Sequence, residues 1–356
     1  MRIAMISSPQ TTHSSGRTAG LQRMIGDLCA ALATAGHDVV RFQHHERSRG
    51  RNSTQRVSNA RREAGTSDPY LELAHASAAS RAIRHDAKPF DVVHTHIPAT
   101  LPFARFVDAP VVCSVHHGWI QGMDDYYAEY GPGALVMASR AQEQLFGSLA
   151  NVTTIPPGLD PALYPLSPGD GGYVVYLGAA PRGRAPADVV DAACGAGARL
   201  LFADNDTLID DDSDADARLS DTRKSWPEPK TERIDLLGFA RAVIVPAGAG
   251  EPTVIAALEA MMCGTPLIVA PGIGATDLVA DGRSGFVATD FDSLVRALRA
   301  VSSLPRADVR AAAAEQFGHL RMASAHEAVY ARAVDAYRSA GERPSVVSNH
   351  AHRQAG

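Results

Sequence analysis

Residues 242–266 spell out a strand, a glycine loop and a helix, and this unit constrains the chain more than any other. Ala242-Val243-Ile244-Val245-Pro246 is an apolar run with the branched residues of a buried strand. Gly248 and Gly250 loosen the backbone after it. Glu251 stands at the helix cap and Pro252 at the first helical position, while Gly264 and Pro266 stop the helix. Seven residues separate Glu251 from Glu259. One carboxylate therefore lies at the mouth of the helix and the other about 12 Å further along. A helix mouth at the carboxyl end of a parallel strand offers backbone N–H groups and a partial positive charge, which suit a phosphate. Flanking acids suit sugar hydroxyls instead. Glu259 sits in an otherwise apolar helix, where a solvated charge would be poorly placed.

Two acids at this spacing, followed by Ala260-Met261-Met262-Cys263-Gly264-Thr265-Pro266, resemble the signature of the retaining glycosyltransferases of family 4. The resemblance implies the GT-B fold, an α/β architecture of two Rossmann-like domains whose parallel sheets face a central cleft. It implies an enzyme, a hexosyl- or glycosyltransferase. Such an enzyme moves a sugar from a nucleotide-diphosphate donor to a hydroxyl of a small-molecule or glycan acceptor, with no metal ion or other cofactor. By the same resemblance, Glu259 holds the donor ribose, Glu251 contacts hydroxyls of the transferred sugar, and His116 faces its C6 side and the leaving oxygen. Backbone N–H groups of Thr253, Val254 and Ile255, with Arg184, would stabilise the departing diphosphate, where negative charge develops. The acceptor hydroxyl would attack from the diphosphate's own face, which retains the anomeric configuration.

A chain of 356 residues is long enough for two domains, each with its own core. The expected division is an acceptor-side domain over 1–165 and a nucleotide-sugar domain over 166–320. A helix over 321–340 would cross back to the first domain, leaving a loose tail over 341–356. A net charge of −5 gives no reason to expect nucleic acid. Cys29, Cys113, Cys194 and Cys263 have no paired spacing, which argues against a zinc site or disulfides and for the cytoplasm. No apolar run is long enough to span a membrane.

The first strand, Arg2 to Ile6, leads through a loop to a helix over Leu21–Ala35 and a strand at Val39–Phe42. This start is Rossmann-like but lacks Gly-x-Gly-x-x-Gly, which speaks against a dinucleotide enzyme. The family's glycine-rich loop falls here, on Gly16 and Gly20, with Gly16 the donor-side candidate. Residues 45–67 are polar, basic and without periodicity, and read as a loop or insertion. Strands at Phe90–His96 and Pro110–Gly118 both end in histidines; Ser114-Val115-His116 matches the family's Thr-x-His strand end, and His94, His96 and His117 read as structural. Asp124 to Tyr130 reads as a helix surface.

A second unit starts at Tyr173–Gly178. In the loop after it, Ala179 takes the place of the family's phosphate-facing Arg and Arg184 that of its Lys, and Arg182 is placed to restore the missing charge. The acidic run from Asp204 to Asp216 lies in a polar stretch, not at a strand end beside a nucleotide, so it is not read as a metal site. Asp277 stands for the usual Glu, and Thr253-Val254 for Phe-Gly. Together with Ala179, these departures leave a second reading open: a catalytically degenerate GT-B protein that binds a nucleotide sugar or a partner without transfer.

Overall fold

The computed structural model describes residues 1–7, 17–43, 53–56, 69–118, 120–131, 133–147, 149–169, 171–177, 187–203, 230–246, 251–270 and 276–341. The first sheet comprises β1 (Arg2–Ile6), β2 (Asp38–Gln43), β3 (Ser53–Arg56), β4 (Val92–Thr95), β5 (Val111–Val115), β6 (Ala134–Met137) and β7 (Val152–Thr154). All are parallel, in the order β3-β2-β1-β4-β5-β6-β7. The second sheet comprises β8 (Tyr173–Leu177), β9 (Arg199–Ala203), β10 (Ala242–Val245), β11 (Leu267–Val269) and β12 (Gly285–Val287), again all parallel, in the order β12-β11-β10-β8-β9. Each order reverses once, between β1 and β4 in the first sheet and between β8 and β10 in the second. Doubly wound sheets open their binding crevices at the carboxyl ends of the strands flanking such a reversal.

One strand lies where the sequence reading expected a loop, and α1, starting at Arg17, takes in Gly20, which that reading placed in a glycine-rich loop. The polar stretch over 45–67, expected as a loop, contains β3, which pairs with β2 from Val40↔Ser53 to Gln43↔Arg56. An edge strand can pair through its backbone without a run of apolar residues, so its composition did not betray it.

The helices are α1 (Arg17–Thr34), α2 (Pro69–Arg84), α3 (Met123–Tyr130), α4 (Arg140–Leu145), α5 (Ala187–Gly195), α6 (Lys230–Phe239), α7 (Glu251–Met262), α8 (Phe291–Ala300), α9 (Arg306–Phe317) and α10 (His319–Gly341). Helix α7 ends in a paired cap: Thr265 N–H bonds the Ala260 carbonyl at 2.9 Å and Gly264 N–H that of Met261 at 2.9 Å. Gly264 has φ +84°, and a Cβ there would lie 2.7 Å from the Arg306 carbonyl oxygen, so both backbone and space require glycine.

Two arginines on α9 fasten the segment between the sheets. Arg310 donates to the carbonyls of Pro161 (2.7 Å), Met262 (2.9 Å) and Tyr164, and Arg306 to those of Ser167 (2.8 Å) and Ala240 (3.1 Å). Helix α10 packs on α1, β4 and β5, so Ala323, Tyr330 and Ala333 share one continuous core with Met24 and Leu28 of α1 and with Ile255 and Leu258 of α7. The chain passes between the domains at two adjoining points. Leu159 N–H bonds the Phe317 carbonyl at 2.9 Å, and His319 N–H bonds the Leu159 carbonyl at 3.0 Å. Among the described residues no helix is long and apolar enough to cross a membrane. All four cysteines are free thiols.

Candidate active site between the two sheets

The strand ends of the first sheet and the α7 side of the second enclose a cavity of about 640 Å³. His116, directly after β5, lines it together with His117, Ser139, Arg140, Gln142 and Glu143, and Val254, Asp277, Leu278 and Phe317 face them from the other domain. Two residues marked by the sequence, His116 and Val254, are thus brought to one space.

The carboxyl end of β5 is held by a residue that the sequence reading missed. Gln142 on α4 is buried, and its amide donates to the carbonyls of Val115 (3.1 Å) and His117 (2.9 Å), on either side of His116. Its carbonyl oxygen accepts from Ala138 N–H at 2.7 Å. Ser139 caps the same helix, its hydroxyl accepting from Gln142 N–H at 3.1 Å. A Ser-x-x-Gln spacing at a helix start was the available signal.

The histidines separate by their partners. His117 uses both ring nitrogens locally, Nδ1 on the Gly118 carbonyl (2.6 Å) and Nε2 on the Tyr127 hydroxyl (2.7 Å). His94 is fully buried between the Ser114 hydroxyl (2.8 Å) and the Tyr330 hydroxyl (2.7 Å). His96, at the switch point after β4, is different: its Nδ1 lies 2.7 Å from His116 Nε2, and the two ring planes are within 17° of each other with centroids 4.9 Å apart. Loss of water on burial, and then repulsion from the neighbouring histidines, hold His94 and His96 well below the ordinary imidazole value. Burial likewise lowers His326 of α10 to about 4, against the opposing bond to the Met322 carbonyl. The cluster behind His116 is therefore a set of neutral rings at neutral pH.

Glu251 is the first residue of α7 and Pro252 the second, one position earlier than a cap reading gives. The opening N–H groups of this helix, Thr253 among them, have no partner within it. Ile255 is 1% exposed, and a Cβ at Gly20 of α1 would lie 3.2 Å from its Cγ2, so the two domains meet closely beside the helix mouth. The Ile255 side chain is thus a packing group and not a ligand contact.

Glu259 is 1% exposed and faces cations, not water. Arg233 of α6 grips both oxygens, Nε to Oε2 at 3.0 Å and Nη2 to Oε1 at 3.0 Å. Oε1 also accepts from Arg23 Nε of α1 at 3.2 Å and from the Tyr164 hydroxyl at 3.3 Å. The sequence signalled that this acid needs a partner; it did not signal which arginines supply it. Gly16, Arg182, Arg184, the side chains of Glu251 and Thr253, Ala179 and the acidic run over 204–216 lie outside the described residues. Among the described residues no group of three or more His, Cys, Asp or Glu is placed to hold a metal ion.

Comparison with known proteins agrees with this architecture. Residues 18–163 match the family model for Glycosyltransferase Family 4, and residues 225–316 match that for Glycosyl transferases group 1. Glycogen synthase from Mycobacterium tuberculosis is 27% identical over 373 residues, spanning 88% of this chain and 89% of that protein. Among solved structures, AviGT4, a glycosyltransferase involved in avilamycin A biosynthesis, superposes with a TM-score of 0.66 at 20% identity, covering 94% of this chain and 98% of its own. Anabaena Alr3699/HepE in complex with UDP and glucose superposes with a TM-score of 0.64 at 15% identity, covering 93% and 99%. Sucrose-phosphate synthase from Thermosynechococcus elongatus superposes with a TM-score of 0.64 at 17% identity, covering 96% and 99%. The structural likenesses carry the fold, two facing parallel-sheet domains of the GT-B kind.

Proposed function

This chain belongs to the family 4 glycosyltransferases of the GT-B fold, and from that premise we propose that it transfers a sugar, with retention and without a metal ion, from a nucleoside-diphosphate donor to a hydroxyl of a small-molecule or glycan acceptor. The observation that carries the reading is the shared cavity, in which His116 at the end of β5 faces Val254 in the first turn of α7. A diphosphate against that turn meets the Thr253 N–H, which has no partner within the helix, with the Val254 and Ile255 amides behind it, and the positive end of the helix dipole. Those donors, with Arg184 and Arg182, take up the charge that grows on the leaving oxygen, the task a metal ion would otherwise perform. Glu251 binds hydroxyls of the transferred sugar, and His116 binds its C6 side.

Glu259 has a twofold part in this reading. Among the described residues its Oε2 takes one bond, from Arg233, and a carboxylate oxygen can accept a second, which this reading assigns to a donor ribose hydroxyl. Arg233 meanwhile neutralises the buried charge. By resemblance to the family, Gly16 is the donor-side glycine of the segment before α1. Free thiols throughout the chain support a reducing compartment, the cytoplasm.

The solved neighbour that holds UDP and glucose supplies the first donor to try, UDP-glucose. A panel of nucleotide sugars crossed with polyol and glycan acceptors, read by mass spectrometry, tests the proposal. A product with a retained anomeric centre in the presence of a chelator is expected. An inverted product, or activity that disappears with chelator, would refute those parts. Binding of nucleotide sugars with neither transfer nor donor hydrolysis would refute transfer.

A further inference from the structure

Behind His116 the chain places two side chains whose chemistry fixes the state of that ring. His96 is 5% exposed and Met5 of β1 is fully buried. His96 Nε2 lies 3.2 Å from Met5 Sδ, and its Nδ1 lies 2.7 Å from His116 Nε2. A thioether carries no hydrogen to donate and acts only as a weak acceptor. The nitrogen facing it must therefore be N–H, because a bare imidazole lone pair turned to sulfur in a dry core would be left unsatisfied. A neutral imidazole carries one N–H, so His96 Nδ1 is the bare, accepting nitrogen. The hydrogen in the 2.7 Å contact then belongs to His116 Nε2.

Rotation cannot easily exchange these roles. The His96 ring lies between the His94 ring, centroids 4.3 Å apart, and the His116 ring, centroids 4.9 Å apart. Burial and the adjoining histidines also disfavour a charged His96.

We propose that His96, oriented by Met5, is a positioning residue that holds His116 in its Nε2–H tautomer, so that Nδ1 is the hydrogen-bond acceptor the ring offers to a hydroxyl of the donor sugar. The sugar contact rests on the function proposed above; the tautomer does not. A methionine on β1 thereby governs which nitrogen of a histidine on the far side of β4 does the recognition.

The tautomer is read directly from the full chain labelled with ¹⁵N-histidine, using two-bond ¹H–¹⁵N correlation spectra, with signals assigned through His116→Ala and His96→Asn. Wild-type His116 is expected to show a pyrrole-like Nε2 and a pyridine-like Nδ1. In Met5→Leu, which keeps the volume and removes the sulfur, both His96 and His116 are expected to show mixed tautomers. A wild-type His116 with its proton on Nδ1, or an unchanged spectrum in Met5→Leu, overturns the inference whatever the activity.

Turnover of UDP-glucose, followed as UDP release, adds a second reading. His96→Asn puts an amide oxygen where Nδ1 was and keeps most of kcat. His96→Phe lowers kcat about tenfold or more, as loss of an outer partner does for other oriented histidines, with little change in KM. Equal losses in the two variants, with melting temperatures matched, overturn the positioning role. The expected tautomer combined with full turnover in His116→Ala would leave the tautomer assignment standing and refute the sugar contact of His116 instead.

Discussion

Replacing Arg233 with methionine tests the buried carboxylate at the centre of the molecule. Arg233 and Glu259 are each 1% exposed, and the guanidinium makes two bonds of 3.0 Å to the two carboxylate oxygens. Hydrogen bonds to charged groups contribute about 1.5–3 kcal/mol each, so two give about 3–6 kcal/mol. Breaking a buried pair by removing one partner costs about 3–5 kcal/mol. Arg23 and Tyr164 remain on Oε1, and Arg23, 21% exposed at its side chain, can lean further in as Oε2 loses its bond to Arg233. The expectation therefore sits at the low end, about 3 kcal/mol of lost stability. Urea unfolding followed by far-ultraviolet circular dichroism measures it. The double variant Arg233→Met/Glu259→Gln removes both charges, so its cost should fall short of the summed single costs by at least about 2 kcal/mol. A loss below about 1 kcal/mol in Arg233→Met, with no coupling in the cycle, would refute the reasoning, because a buried carboxylate stripped of its two-bond partner cannot be that inexpensive.

Acid should weaken the fold through His326, whose folded value of about 4 lies below its ordinary 6.5. The unfolded chain then binds the proton first, so stability is complete above pH 6.5 and is lost as pH falls toward 4, by up to roughly 3 kcal/mol; the wild-type minus His326→Gln difference in urea midpoint between pH 7 and pH 5 measures this, and a flat difference would contradict it. Gly264→Ala must adopt φ +84° with its Cβ against the Arg306 carbonyl, and is expected to cost about 1–3 kcal/mol, seen as a lowered melting temperature. With native protein, Ellman's reagent should titrate Cys194 quickly and leave Cys29, Cys113 and Cys263 for denaturant, since these three are buried and burial lifts the Cys113 thiol to about 12. Gln142→Leu frees the two carbonyls beside His116, and should reduce UDP-glucose turnover several-fold or more with a smaller effect on melting temperature; unchanged kinetics would show that the β5 end holds itself.

What could be read from the sequence was whatever depends on neighbours in the chain. The apolar runs with branched residues marked β1 and β10, observed at Arg2–Ile6 and Ala242–Val245, because a strand buried on both faces must be largely apolar. β3 escaped because an edge strand makes no such demand. The same division runs through the site. His116 was legible as a strand-end histidine, and Glu259 as an acid that apolar surroundings would not tolerate alone. The groups that complete them were not legible: Tyr330 and His326 reach His94 of β4, in the cluster behind His116, from α10, and Arg23 and Arg233 reach Glu259 from α1 and α6. Such pairings depend on how helices distant in sequence come to rest, and no local period records that.

Because α10 supplies a wall of the first domain's core yet follows the second domain in sequence, that core cannot close until the second domain has been made. Some 160 residues leave the ribosome with the α1 face of their sheet bare, and must await the second domain before Tyr330 and Ala333 arrive to seal it. Synthesis order and assembly order are thus opposed, and a truncation ahead of Gly318 would yield two sticky halves instead of two working modules.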